Sequence, residues 1–222
     1  MNAGQIGEKL QSSVPDDLKS LLEQGICLPL HFPGDCALDD AVIVVGDLSD
    51  EEEGEWIGKL SSHLQIPCGE FMIMGGGLDE DFEDALPNPE PPDPHYQYFQ
   101  KARVEPGRYL VEVYAYLGSL TVNFAWEEEA HNPGDLHEWW RTSRREETEP
   151  EWIKGFEEED YVDSEDFELV EYIIRLRKIE DDQQVELPTV DEEANYWCAD
   201  YTIRKPDPCP KGLPKSRYRA DN

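Results

Sequence analysis

The chain has 222 residues, 51 of them acidic and 19 basic, giving a formal net charge of −32. That charge repels phosphate over most of a surface and argues against a nucleic-acid binder; no apolar run approaches the ~20 residues that cross a bilayer. Aromatic residues make up 10%, with six Trp, which separates this composition from that of a fully disordered acidic chain.

A first helix is predicted from Pro15, at a first-turn position, through Leu18, Leu21 and Leu22 on one face, to a stop at Gly25. Ile26 to Phe32 is short and broken by Pro29, which suits an edge strand. Ala41 to Val45 reads as a buried strand. Ser49 followed by Glu52 has the spacing of a capping box. Trp56, Ile57, Leu60 and Leu64 continue at helical spacing, so one helix is expected from Ser49 until Pro67 ends it. Gly69 to Met74 predicts a strand, closed by Gly75-Gly76-Gly77. Residues 78–95 carry an acidic run and then Pro87, Pro89, Pro91, Pro92 and Pro94, which favours an extended linker or surface loop.

The next portion is mostly β. Strands are expected from Tyr96 to Val104 and from Tyr109 to Leu117, joined by a turn centred on Pro106-Gly107. Tyr109, Val111, Val113 and Ala115 form one face; Leu110, Glu112, Tyr114 and Tyr116 form the other. The first face should enter an apolar core, with Val170 to Leu176 in the same sheet system. Leu120 to Trp126 is expected to return as a strand. Leu136, Trp139 and Trp140 suggest a short helix, Phe167 to Ile179 a long strand, and Tyr196 to Ile203 a last one. From Ile203 onward six basic residues stand against two acidic ones, with four prolines; this tail is either loosely held or docked on the acidic body.

The pattern predicts an α+β fold dominated by an antiparallel, sandwich-like sheet. Residues 1–86 would form an N-terminal α/β portion, 87–95 a linker or loop, 96–204 the β-rich portion and 205–222 the basic tail. Five cysteines, an odd number with no Cys-x-x-Cys spacing, suit reduced thiols in a cytoplasm, and Met1 to Gln5 begins no signal peptide.

Catalytic patterns are sparse. The glycine triplet lacks the lysine and hydroxyl residue of a phosphate loop and is followed by Asp79, Glu80 and Asp81. Asp47, Ser49 and Glu51 alternate like calcium ligands, but Gly54 comes too late; Asp79, Asp81 and Glu83 lack a central glycine. No cofactor or dedicated metal site is expected. An enzyme reading rests on His131, Asp135 and His137 gathering with carboxylates around a metal. Cys68 could act as a nucleophile beside His63 or His31, although a small buried thiol is the ordinary role.

Trp126, Trp139, Trp140 and Trp152 lie among glutamates. Core packing is one use for such rings; anchoring a partner is another. On the second reading, Trp139, Trp140 and Trp152 form a partner-binding face, with Glu157, Glu158 and Glu159 steering a basic protein or peptide toward it. Acidity of this degree also suits a halophilic host or plain solubility.

Val104-Glu105-Pro106-Gly107-Arg108-Tyr109-Leu110-Val111, followed later by Glu171-Tyr172-Ile173-Ile174, resembles the strand–turn–strand and closing strand of small bacterial β-sandwich proteins such as the competence-associated DNA-entry nuclease inhibitors. The resemblance spans three strands and implies a sandwich fold and an inhibitory or immunity-type role toward a nuclease or toxin. Ile66-Pro67-Cys68-Gly69-Glu70 is similar to an uncharacterised bacterial family to which no function attaches. Neither resemblance carries over a catalytic residue.

Overall fold

The computed structural model describes residues 15–32, 41–74, 99–127, 136–150, 153, 169–190 and 198–218. The first helix, α1 (Pro15–Glu23), buries Leu18, Leu21 and Leu22. Gly25 ends it with φ +63, and the N–H groups of Gly25 and Ile26 donate back to the carbonyls of Leu22 and Leu21. These are the paired bonds of a glycine-terminated helix. Ile26 to Phe32 is not a strand along its length; it makes one parallel bridge, Leu30 to Cys198.

Strand β1 (Ala41–Val45) matches its expected span. The capping box also forms: Ser49 Oγ accepts from Glu52 N, and Glu52 Oε2 accepts from Ser49 N at 2.6 Å. The helix it starts, α2 (Asp50–Glu55), is only six residues long. Trp56 turns extended, and Gly58–Ile66 is strand β2 rather than the second half of a long helix. Trp56, Ile57, Leu60 and Leu64 match helical spacing by coincidence. Leu60 and Ile66 are instead buried on one face of a strand, with Ser62 between them obscuring the two-residue period. All nine residues of β2 register with β5 (Gly107–Ala115), and this long-range pairing outweighs a weak local preference.

Strands β3 (Glu70–Met74) and β4 (Phe99–Arg103) form a separate antiparallel ribbon. The hairpin expected across Pro106-Gly107 therefore does not form: β4 pairs with β3, while β5 pairs with β2 and β6. Gly69 makes the ribbon possible. A Cβ there, at φ +72, would lie 2.8 Å from the carbonyl oxygen of Val104, whose N–H donates to Gly69 O.

Leu120–Glu127, expected as a strand, is helix α3. The overlooked signal is Ser119, whose Oγ accepts from Val122 N at the helix start. Helix α4 (Leu136–Ser143) and strand β6 (Tyr172–Ile179) fall within their expected positions, whereas β7 is reduced to Thr202–Ile203.

The main sheet has the order β1-β6-β5-β2-β7. The β1–β6 pair is parallel and the remaining pairs are antiparallel. It is thus a mixed sheet, and the fold is α+β and mostly sheet. Strands β1 and β2 precede residues 87–95, and β5, β6 and β7 follow them, so the two expected portions share one sheet. Residues 87–95 themselves lie outside the described residues.

Both faces of this sheet are covered. Tyr109, Val111, Val113 and Ala115 point to one side, with Tyr172, Ile174 and Leu176. There they join Leu22 of α1, Phe71 and Ile73 of the ribbon, and Leu136, Trp139 and Trp140 of α4. On the outer side Tyr114, Tyr116, Val170 and Ile173 meet Leu48, Trp56, Leu213 and Tyr218. The basic tail is therefore docked: Leu213 is fully buried, and Val170 N donates to Leu213 O at 2.8 Å.

The α4 tryptophans are core residues, 5% exposed at Trp139 and 3% at Trp140. The expectation that both rings are surface anchors is corrected, because the apolar face of α4 turns onto the sheet. Trp140→Ala is accordingly expected to lower unfolding stability by about 3–5 kcal/mol, the usual cost of emptying a tryptophan site. Urea denaturation measures this; a loss under 1 kcal/mol would contradict the core assignment.

Candidate functional site

The densest chemistry among the described residues lies on the outer face of the sheet, where α2 and the C-terminal segment meet. Strand alternation sends Glu112 and Tyr114 of β5, Arg175 of β6 and Lys59 of β2 to this side. Glu112 and Arg175 are direct cross-strand partners, buried at 5% and 9% exposure. Arg175 Nη1 donates to Glu112 Oε2 at 3.1 Å, Nη2 to Asp47 Oδ1 at 2.6 Å, and Nε to Gly46 O at 2.8 Å. Lys59 Nζ reaches the other oxygen of Glu112 at 2.5 Å. Burial alone would lower the pKa of Lys59, but its bond to Glu112 and the charges of Glu112 and Tyr114 together outweigh this and raise it. Arg175 behaves in the same way: burial is offset by Tyr114, Glu112 and Asp47. Opposite charges close together and hydrogen-bonded hold one another ionised.

Helix α2 lies beside this network and carries five carboxylates in six residues. Glu52 and Glu55 are buried, and each is answered by the C-terminal segment. Glu55 Oε2 accepts from the backbone N–H groups of Lys211 and Gly212 at 2.6 and 2.8 Å. Glu52 Oε1 accepts from Tyr218 Oη at 2.6 Å while its second oxygen completes the capping box. Burial would raise the pKa of Glu52; the bonds from Tyr218 and Ser49, with Arg217 nearby, bring it below the usual range. At Glu55 burial prevails over its donors and the pKa is raised. Arg217 bonds Glu51 Oε2 at 2.5 Å and Ser49 Oγ at 3.2 Å. Arg204 stacks over the Trp56 ring, 3.5 Å from its centroid, and donates to the Trp56 carbonyl at 2.9 Å.

The oxygens that alternate at Asp47, Ser49 and Glu51 are thus committed to Arg175, the helix cap and Arg217. Among the described residues, no group of three or more His, Cys, Asp or Glu side chains is placed to hold a metal ion. His137 Nδ1 bonds Glu149 Oε1 at 2.5 Å; His131 and Asp135 lie outside the described residues. Cys68 is exposed, with Sγ 3.5 Å from Glu70 O. His63, on β2, is 9% exposed, and burial together with Arg108 holds its pKa below the usual value. Trp152, Glu157, Glu158 and Glu159 also lie outside the described residues, as does the glycine triplet. Trp139, although buried, lines a shallow cleft of about 350 Å3 with Thr142, Ser143, Lys205, Pro206 and Asp207. Lys205 Nζ stands 5.0 Å from the Trp139 ring centroid.

Two signals pointed toward the outer face in the sequence. One is a charge in the middle of each of two apolar strands, Glu112 and Arg175. The other is a basic, proline-spaced tail on a highly acidic chain. No helix among the described residues is long and apolar enough to cross a membrane. No family model, curated protein or solved structure matches this chain.

Removing one member of a buried ion pair strands the other. Arg175→Met should destabilise the protein by less than the ~3–5 kcal/mol of a fully stranded charge, because Lys59 still pairs with Glu112, and adding Glu112→Leu should recover most of that loss, because Lys59 can still reach water. Urea denaturation of the two single variants and the pair tests this; a pair as unstable as the sum of the singles would refute it.

Thiol chemistry gives a second test. Cys68 is exposed, whereas burial pushes the thiols of Cys27, Cys198 and Cys209 up to about 11, 12 and 12. Among the four described cysteines, Cys68 should therefore be the one lost quickly to an alkylating reagent at neutral pH in the native protein, with Cys198 and Cys209 reacting only on unfolding. Rapid alkylation of Cys198 or Cys209 in the native state would count against their burial.

Proposed function

We propose that this is a non-enzymatic, cytoplasmic binding protein whose partner is a basic protein or peptide, in the manner of an inhibitor or immunity protein for a nuclease or toxin. The observation that carries this reading is where the cations go. Arg175, Arg144 and Lys59 turn onto carboxylates of the chain itself. Arg108 donates to the carbonyls of Glu180, Asp181 and Gln183, and Arg204 to those of Trp56, Glu53 and Gly54. With these cations internally engaged, exposed carboxylates such as Asp50, Glu180, Asp181, Asp182 and Glu186 face solvent with little local compensation. On a chain of net charge −32 they produce a strongly negative outer field. Such a field accelerates encounter with a cationic surface and disfavours acidic competitors.

In this reading Glu157, Glu158 and Glu159 contribute to steering, and Trp152 remains a candidate anchor. Trp139 and Trp140 act indirectly, by holding α4 in place. The test is co-purification from the native host at low and high salt, followed by association kinetics with the recovered protein. The expected partner is basic. Its association rate should fall steeply as salt rises past ~0.15 M, where the screening length is about 8 Å, and Glu157→Gln, Glu158→Gln, Glu159→Gln together should slow association more than they speed dissociation. An acidic partner, or kinetics indifferent to salt, would refute the reading.

A further inference from the structure

The C-terminal segment is held in two different ways along its length. Up to Leu213 it is part of the fold: Cys209, Pro210 and Leu213 are buried, and Arg144 Nε donates to Cys209 O. Beyond Pro214, which still makes an antiparallel bridge with Leu169, the character changes. Ser216 and Arg217 are exposed, Lys215–Arg217 is a single 3-10 turn, and Tyr218 is half-buried. The tip is held to α2 by the Arg217 bonds to Glu51 and Ser49, the Tyr218 bond to Glu52, and the packing of the Tyr218 ring on the outer cluster. Ion pairs at such exposure are weak and screened by salt.

The tip is itself a basic peptide seated on the acidic start of α2. An arginine meets Glu51, and the adjacent tyrosine fills the edge of an apolar cluster while bonding Glu52. We propose that residues 215–218 are a displaceable occupant of a docking surface built from Ser49, Glu51 and Glu52, and that the incoming ligand is a basic segment of the partner in which an arginine precedes an aromatic residue. The inference rests on the reading of the protein as a binder of basic partners, and adds to it a site and a form of self-restraint. While the tip is seated, the surface is open only for the fraction of time that the tip is released, so apparent affinity is reduced by that fraction. The anchor at Leu213 keeps the tip close by, so that it competes at a high effective concentration.

The test uses the full chain. Arg217→Ala with Tyr218→Ala unseats the tip and leaves Leu213 in place. The probe is a fluorescein-labelled peptide of residues 214–222, followed by anisotropy at about 0.1 M and about 1 M salt, where screening lengths are about 10 and 3 Å. The double variant should bind the probe on the order of tenfold more tightly than the wild type, as expected for a surface occupied about nine-tenths of the time. Adding Glu51→Gln should cancel the gain, as should high salt. Circular dichroism and urea midpoint establish that the variant is folded; if it is not, Arg217→Ala alone is measured against the same probe. Equal affinity of wild type and folded variant overturns the proposal. So does a concentration-dependent dimer that disappears with Arg217→Ala, because the tip would then sit on a second copy. The two readings separate through the recovered basic partner. Salt-sensitive binding of that partner that is identical in wild type and variant leaves the binding function standing and removes the latch. Absence of any basic partner removes both.

Discussion

A guanidinium set into the middle of a sheet must be answered by charge and hydrogen bonds from its surroundings, and Arg175 is answered from three directions. Glu112 faces it from the neighbouring strand, Gly46 and Asp47 reach it from the end of β1, and Glu53 of α2 stands 3.6 Å away. The central strand pair, the parallel edge strand and the short helix are therefore tied to one side chain. The value of such a buried group lies more in selecting an arrangement than in added stability, since apolar replacements of similar shape are often as stable. Here it selects register. A slip of one residue between β5 and β6 would separate Arg175 from Glu112, and a flip would drive the charge in among Val113, Ile174 and Leu176.

Helix α2 depends on partners in a different sense. A six-residue segment with five carboxylates and a glycine has little tendency to be helical alone. Its capping box supplies on the order of 1 kcal/mol. Much of the remaining support comes from far along the chain, through the backbone N–H groups of Lys211 and Gly212 on Glu55. The same segment also roofs the outer face of the sheet, with Leu213 and Tyr218 beside Tyr114 and Ile173. Electrostatics and burial are thus supplied by one peptide.

The parts of this fold that were legible in the sequence are those governed by local pattern. The alternation of Tyr109, Val111 and Val113 placed β5 correctly, and Tyr172 to Leu176 did form part of its neighbour, whereas Val170 precedes the strand and packs in the outer cluster. The Ser49–Glu52 cap and the Leu18–Leu22 face marked two helix starts. What failed was governed by distant partners or masked by composition. Ser62, buried without being apolar, hid the strand period of β2. Leu120 to Trp126 has β-favouring residues, but Ser119 caps a helix there and Tyr172 Oη lies 3.3 Å from Thr121 N. Pro106-Gly107 suggested a local hairpin, yet both flanking strands take partners from elsewhere. The charged residues around Trp139 and Trp140 in sequence left both core packing and surface anchoring open; on the helix Glu138 and Arg141 are exposed while both rings are buried. The charge of the basic tail allowed docking on the acidic body, but local pattern did not say that α2 receives it.

That return also orders events in time. A polypeptide emerges from the ribosome amino end first, and domains form as their parts become available. Ser49 to Glu55 emerge long before residues 211–218, the last described segment of the chain. During that interval α2 carries its carboxylates without their cations, and the outer face of β5 lacks its cover. The parallel partner of β1 likewise arrives only with β6, well over a hundred residues later. A copy terminated before Leu213 would present an uncovered apolar sheet face beside an uncompensated acidic helix, and exposed apolar surface of that kind makes incomplete chains prone to aggregate. The outer layer of this molecule closes only once residues 211–218 have been made.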